Sequence, residues 1–163
     1  NVIGGGDWSQ GRIVTDLVNA ASNNENIELR NPAAIRPWQH VLDVVNGYLK
    51  LGQHIDNNKD AFTAYNFGPP KTHELNVLDV ASSFIKFWGN QNVNVKTPDS
   101  SSLPYESKIL RLDSTKAAED LCWSTKLSQS ETIQWTVDWY KFFLEHDNVE
   151  KKTHADIKNF FIL

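Results

Sequence analysis

The sequence predicts a mixed α/β fold in which short strands alternate with longer helices. First, apolar residues recur three and four positions apart in several segments, a spacing that indicates amphipathic helices. Second, short apolar or alternating segments are bounded by glycine, proline and asparagine, as is typical of strands. Third, the 163 residues of the chain suffice for one domain with a sizeable core.

Five segments are predicted to be helical because their apolar residues share one helix face. These segments are residues 13–21, 41–51, 77–88, 115–121 and 128–143. Asn76 directly precedes the third helix, and Asp113 or Ser114 is placed to cap the fourth. Ser128 and Glu131 have the spacing of a capping box at the start of the fifth.

Six shorter segments are predicted to be strands or extended chain. These segments are residues 1–3, 27–30, 35–41, 64–67, 93–96 and 109–112. In the third of them, Pro37 biases Arg36 away from helical backbone. We treat residues 1–145 as one region and the charged, weakly patterned residues 146–163 as a C-terminal tail whose apolar end is able to dock.

Composition argues against several classes of function. The net charge of −4 argues against a nucleic-acid partner, because nucleic-acid phosphates favour a basic face. No apolar run approaches the roughly 20 residues of a membrane span, so we expect no membrane partner and, by default, a cytoplasmic location. Cys122 is the single cysteine, and the five histidines lack a ligand spacing, so we expect neither a disulfide nor a metal site.

The start of the sequence suggests that the chain is one part of a longer protein. The chain contains no methionine and opens with Asn-Val-Ile, which resembles the end of a strand. We therefore expect a fragment, a processed chain or a trimmed chain.

Arg36 is the strongest candidate for a binding residue. Its guanidinium stands among apolar residues, where a lone charge would be costly to bury. Arginine can grip a phosphate or carboxylate through two parallel hydrogen bonds. The alternative is an internal salt bridge to Asp7 or Asp43. Nearby, Trp38 is either a core residue or the wall of a ligand pocket.

Four weaker candidates each have a structural alternative. Arg12 follows the glycine-rich loop and either binds an anion or is a solvated arginine at a helix start. Glu106 either accepts hydrogen bonds from sugar hydroxyls or is a surface acid. His40 is more often a half-buried structural histidine. Gly4–Gly6 lack the G-x-G-x-x-G spacing of a dinucleotide site, so this run either forms a turn or approaches a ligand.

Several segments together resemble one enzyme family. These segments are NVIGGGDW at 1–8, ELRNPAAIRPWQHVLDVVNGYL at 28–49, AYNFGP at 64–69, LRLDSTKAAEDLCW at 110–123, and the S-x-x-E…WTVDWY run that ends at Tyr140. Over residues 1–145 the chain resembles the CDP-glucose 4,6-dehydratases, which are extended Rossmann-type short-chain dehydrogenase/reductases with an α/β fold. It matches their C-terminal substrate-binding part and lacks their N-terminal nucleotide-binding portion. GGGDW and RPWQHVLD are fairly specific for the CDP-glucose branch.

The resemblance implies an NAD-dependent lyase that converts CDP-glucose to CDP-4-keto-6-deoxyglucose. In this family NAD⁺ takes a hydride from C4 of the hexose, water is lost across C5 and C6, and the hydride returns to C6. The family's NAD loop, Tyr-x-x-x-Lys pair and acid/base precede the matched segment. None of the four tyrosines is followed by lysine four positions later. We therefore expect no catalytic or cofactor-binding residue here and no activity from this chain alone.

By resemblance, four residues face the substrate. Asn1 belongs to the segment that lines the nucleotide-sugar pocket, and Arg36 matches the arginine that grips the pyrophosphate. Arg12 and Glu106 match positions near the nucleotide. Trp38 and His40 would support the segment that carries Arg36.

The missing nucleotide-binding sheet has a physical consequence. Helix 41–51 and strand 64–67 would otherwise pack on that sheet, so their apolar surface and strand edge would be exposed. We expect this chain by itself to be marginally stable, oligomeric or stabilised by a partner, and the intact enzyme to be a homo-oligomer. The alternatives are part of a GDP-, dTDP- or UDP-sugar dehydratase or epimerase, or a non-catalytic binding or assembly module.

Overall fold

A computed structural model describes residues 1–57, 64–90, 92–97, 107–146 and 148–163. The helices within these ranges are α1 Ile13–Asn23, α2 Val41–Asn57, α3 Val77–Trp88, α4 Thr115–Leu121, α5 Gln129–Glu145 and α6 Glu150–Ile162. The strands are β1 Val2–Ile3, β2 Ile27–Glu28, β3 Ile35–Arg36, β4 Gln39–His40, β5 Leu75–Asn76 and β6 Val95–Lys96. A single 3₁₀ turn, Lys71–His73, precedes β5. None of the described helices is long and apolar enough to cross a membrane.

The described strands form three two-stranded ladders. β1 pairs with β4 in parallel, β2 pairs with β6 in parallel, and β3 pairs with β5 in the antiparallel sense. The segment predicted to be extended from 35 to 41 is therefore two strands that belong to different ladders. Between them the Trp38 amide donates to the Arg36 carbonyl at 2.9 Å, so the chain turns at Pro37. Val41 already belongs to α2.

The main core lies where α1, α3 and α5 pack together. It contains apolar side chains that are almost completely buried, namely Leu17, Val18, Val80, Phe84, Ile133, Val137 and Tyr140. A smaller cluster lies beside α2 and α4 and consists of Phe67, Ala117, Leu121 and Trp123. The predicted helical stripes supply most of these residues, because spacing by three and four directs one face of each helix inward.

The predicted capping box at the start of α5 is confirmed. The Ser128 hydroxyl accepts from the Glu131 amide, and the Glu131 carboxylate accepts from the Ser128 amide at 2.8 Å. Asn76 caps α3 with the same reciprocal pattern. At α4 the Asp113 carboxylate accepts from the first helical amide at 3.0 Å, whereas the Ser114 side chain makes no capping hydrogen bond.

Two predicted strands are corrected, and the C-terminal tail contains a helix that the sequence did not predict. Residues 64–67 form no ladder within the described chain, and the Phe67 carbonyl accepts from the Gln39 side-chain amide at 2.6 Å. Residues 109–112 make one isolated bridge, between Ile35 and Ile109. The tail contains α6, and its Phe160 side chain is fully buried, so the docking expected of the apolar end is confirmed at that residue.

One face of α2 leaves large apolar side chains exposed. This face consists of Val41, Val45, Tyr48, Leu49 and Ile55, and Tyr48 and Leu49 are 61% and 60% exposed. The opposite face of the helix is buried at Val44 and Gly47. The apolar exposure expected for the 41–51 helix is therefore present in the structure.

Candidate functional site

A cavity of about 680 Å³ opens between β1, the loop before α1, and the segment that runs from β2 to β3. Its volume is typical of small-molecule sites. Its apolar lining includes Ile3, Val14, Ile27, Leu29, Trp38 and Val77. Its charged lining consists of Arg12, Arg30, Arg36, Asp7, Asp16 and Glu28. The cavity therefore combines an apolar surface with cations and carboxylates, and we call it the arginine cavity.

The backbone holds the Arg36 side chain at the cavity wall. Its Nη1 atom donates to the carbonyl oxygens of Ile35 and Ser107, both at 2.9 Å. Arg36 is the last residue of β3 and directly precedes the turn at Pro37, so it lies between two ladders. A guanidinium oriented in this way is well suited to an anionic ligand.

Neither acid considered as an internal partner for Arg36 pairs with it. The Asp43 side chain is fully buried, and its Oδ1 accepts from the Lys126 amide at 2.7 Å, while its Oδ2 has no partner. The Asp7 carboxylate accepts from the Ser9 amide at 2.9 Å. The predicted alternative of a salt bridge to Asp7 or Asp43 is therefore wrong.

The structure brings three of the four predicted site residues to this cavity. Asn1 lies at its wall, and the Asn1 carbonyl accepts from the Gln39 amide at 3.0 Å, next to β4. Arg12 lies at the start of α1 and is exposed at the cavity. Arg36 completes the group, whereas Glu106 lies outside the described residues.

Trp38 and His40 occupy the positions expected of supporting residues. Trp38 is 2% exposed and lines the cavity, so it is at once a core residue and a pocket wall. Its indole N–H donates to the Leu75 carbonyl at 3.2 Å. His40 is more deeply buried than predicted, and its Nδ1 accepts from the Leu42 amide at 3.3 Å.

Sequence reasoning missed Arg30 as a site residue. Its guanidinium donates to the Gly11 carbonyl at 3.0 Å, across the mouth of the cavity. Arg30 follows the apolar Ile27 and Leu29 of the β2 segment. An arginine at the end of an apolar strand was the signal that singled out Arg36, and the same signal was available at Arg30.

The carboxylates of the cavity suit the hydroxyl groups of a ligand, whereas the arginines suit its phosphates. Hydrogen bonds from Ser9 lower the pKa of Asp7, so this carboxylate is ionised at neutral pH. Arginines favour phosphate, whereas carboxylates accept hydrogen bonds from hydroxyl groups. A ligand that carries both phosphates and sugar hydroxyls satisfies both sets.

The glycine-rich loop is shaped by packing and does not form a phosphate cradle. A Cβ atom at Gly5 would lie 1.9 Å from Cδ2 of Trp139, and one at Gly4 would lie 2.6 Å from Cγ1 of Val41. The Tyr140 hydroxyl donates to the Asp7 carbonyl at 2.6 Å, and burial raises the pKa of Tyr140 to about 12. The described residues therefore do not fit the pyrophosphate of NAD at this loop.

A second cavity of about 580 Å³ contains none of the predicted site residues. Its lining includes Gly68, Lys71, Ser114, Lys126 and Ser128. Within the described ranges, no group of three or more His, Cys, Asp or Glu side chains could hold a metal ion.

Buried His40 predicts that stability depends on pH. Burial, with a smaller contribution from the positive charge of Lys152, lowers the pKa of His40 from 6.5 to about 4. Between these pH values the unfolded chain binds more protons than the folded one, so stability is lost as the pH falls from about 6.5 to about 4. We expect the free energy of unfolding to decrease by about 2 kcal/mol between pH 7 and pH 5.

Urea unfolding of the chain and of His40→Gln at both pH values measures this effect. The glutamine variant should lose markedly less stability over the same interval, because it carries no imidazole to titrate. If both proteins lose the same free energy, titration of His40 does not cause the pH dependence.

The fold is shared with enzymes that act on nucleotide sugars. The UDP-glucuronic acid 4-epimerase of Bacillus cereus, solved with UDP-glucuronic acid and NAD, matches 88% of this chain and 43% of its own, with a TM-score of 0.72 and 19% identity. The dTDP-glucose 4,6-dehydratase of Bacillus anthracis, solved with NAD, matches 89% of this chain and 43% of its own, with a TM-score of 0.66 and 19% identity. No family model matches the chain.

The fold is therefore shared with part of these nucleotide-sugar epimerases and dehydratases. In sequence, the chain is related to the CDP-glucose 4,6-dehydratase of Salmonella typhimurium, with 33% identity over 150 residues. The match covers 91% of this chain and 41% of that relative. The chain thus spans about two fifths of the length of the curated relative. Both solved neighbours described above bind NAD.

Proposed function

We propose that this chain is the substrate-binding part of a CDP-glucose 4,6-dehydratase, the enzyme that forms CDP-4-keto-6-deoxyglucose. The observation that carries the proposal is the convergence of Asn1, Arg12 and Arg36 on one cavity. The sequence resemblance independently implies that these three residues face the substrate. Sequence identity of 33% to a dehydratase that acts on CDP-glucose supports the cytidine nucleotide.

In this proposal the two arginines contact the diphosphate. Arg36 projects from the end of a strand and Arg12 from the start of α1, so they reach the cavity from two different elements. Ionised Asp7 and the other carboxylates of the lining are available to sugar hydroxyls. Buried Trp38 supplies an apolar wall, and water excluded there strengthens the interactions between charges.

The rest of the enzyme would cover the exposed face of α2. Its apolar side chains, among which Tyr48 and Leu49 are the most exposed, fit the packing surface of a nucleotide-binding sheet. That sheet would hold NAD and the catalytic residues, so this chain by itself would bind substrate without turning it over. We also propose a homo-oligomeric intact enzyme, since Phe161 and Ile162 of α6 add a further exposed apolar surface.

A nucleotide titration tests the proposal. We expect CDP to bind this chain saturably in isothermal titration calorimetry and to bind more tightly than GDP, dTDP and UDP in competition. Cytidine should bind more weakly than CDP, because the arginines contribute only when phosphates are present.

Three other outcomes would change the conclusion. Preferential binding of GDP, dTDP or UDP would indicate a dehydratase or epimerase for that nucleotide sugar. Equal binding of all four diphosphates would remove the support for cytidine. Failure of any nucleotide to bind would show that the cavity is not competent in this chain, which would favour a scaffold or assembly module.

A further inference from the structure

The loop before α1 is anchored differently at its two ends. Its first part is fixed on α5 and α1, because the Asp7 carbonyl accepts from the hydroxyls of Tyr140, at 2.6 Å, and Thr15, at 3.0 Å. Trp8 also packs edge-on against the Tyr140 ring, with centroids 5.1 Å apart. The position of residues 4–8 is therefore determined by buried packing.

The second part of the loop, residues 9–12, has few contacts with other segments. At its end the Arg12 carbonyl accepts from the Asp16 amide of α1 at 2.9 Å. Residues 9–12 are exposed. Among the described residues, the hydrogen bond from the Arg30 guanidinium to the Gly11 carbonyl, at 3.0 Å, is the one that joins Gly11 to a segment outside the loop. Gly11 has a φ of +72°, a conformation that favours glycine. The contact therefore needs the Arg30 side chain and the left-handed backbone conformation of Gly11.

This contact lies directly beside a proposed phosphate ligand. Arg12 follows Gly11 and begins α1 without a capping hydrogen bond from its own side chain. Arg30 and Arg36 border the same cavity from the other side of the loop. The hydrogen bond to the Gly11 carbonyl therefore restrains the residue directly before Arg12, whose own carbonyl is held by α1.

We propose that Arg30 is a positioning residue that ties Gly11 across the cavity mouth and so holds Arg12 in place for the diphosphate of the substrate. The effect of Arg30 on the ligand rests on the proposed function, whereas its effect on the loop does not. Arg30 acts through Arg12 and does not contribute a phosphate contact of its own. Arginine suits this role because its charged N–H groups form strong hydrogen bonds with carbonyl oxygens.

Backbone ¹⁵N relaxation of the ligand-free chain tests the tie to the loop. In Arg30→Ala we expect the order parameters of residues 9–12 to fall from the rigid range of about 0.85 toward about 0.6 or below, because a hydrogen bond from a charged donor is lost. Residues 4–8 should keep their order parameters. Arg111→Ala is the matched control, because Arg111 is also exposed but pairs with Glu74, and neither residue lines the cavity. Unchanged order parameters at residues 9–12 in Arg30→Ala would overturn the proposal.

A double-mutant cycle in CDP affinity tests whether Arg30 acts through Arg12. Arg30→Ala should weaken CDP about tenfold and cytidine hardly at all. In an Arg12→Ala background, Arg30→Ala should cause no further loss of CDP affinity. With Arg12 intact, Arg30→Lys should bind CDP more tightly than Arg30→Ala does. An additive loss would make Arg30 a direct phosphate ligand and overturn the positioning role. Failure of the unmodified chain to bind CDP would instead contradict the proposed function, and the relaxation measurement would still decide whether Arg30 holds the loop.

Discussion

Gly5→Ala is expected to lower the free energy of unfolding by about 3 kcal/mol or more. The new methyl group would lie 1.9 Å from Cδ2 and 2.2 Å from Cγ of Trp139. Trp139 cannot withdraw cheaply, because its ring stacks on Phe143 and its indole N–H donates to Thr153 at 2.9 Å. The loop, α5 and α6 would all have to shift.

Urea unfolding of the variant measures this loss, and Gly52→Ala is its matched control. Gly52 lies within α2 and has no atom within 4 Å of an added Cβ. Alanine there should stabilise the helix by about 0.5–1 kcal/mol. If Gly5→Ala proves as stable as the unmodified chain, the close packing of the loop on Trp139 is wrong.

Arg36→Ala is expected to weaken CDP binding by about a hundredfold, because a charged and bidentate phosphate contact is lost. Its effect on cytidine should be small, since the nucleoside carries no phosphate. The CDP affinity of Arg36→Lys should lie between those of the unmodified chain and Arg36→Ala, because lysine keeps the charge but lacks the planar fork of donors. Calorimetric titration of CDP and cytidine into each variant separates these contributions.

The control for Arg36 has to exclude a structural cause. Arg36 also donates to the Ser107 carbonyl, so its loss could loosen the segment from 107 to 109. Each variant is therefore compared with Arg111→Ala in thermal unfolding as well as in binding. Equal weakening of CDP and cytidine by Arg36→Ala would show that the residue supports the pocket without contacting the phosphate.

Five of the six described helices could be predicted from the sequence because their signals are local, whereas α6 was not predicted because its residues are weakly patterned. Apolar spacing and the reciprocal pair Ser128 and Glu131 define α5 without reference to the rest of the chain. The strands were less predictable, because a strand needs a partner that is distant in sequence. Residues 64–67 have the composition of a strand, but the Phe67 carbonyl accepts a hydrogen bond from the Gln39 side chain.

The sequence predicted those binding-site residues that can be recognised from their own sequence neighbours or from resemblance. An arginine amid apolar residues pointed to Arg36, and resemblance added Arg12 and Asn1. Arg30 also stands beside apolar residues, but its hydrogen bond to a carbonyl 19 positions earlier in the chain could not be predicted from the local sequence. The close contact of Gly5 with Trp139 joins two ends of the sequence, and no local pattern indicates such a contact.

The central claim is that the arginine cavity binds the diphosphate of a cytidine nucleotide. Its most direct test is a titration of the ¹⁵N-labelled chain with CDP, followed through the amide chemical shifts. We expect the largest changes at Gly11, Arg12 and Arg36, with saturation on a single binding curve. Changes confined to the second cavity, around Gly68, Ser114 and Lys126, or no changes at all, would contradict the claim.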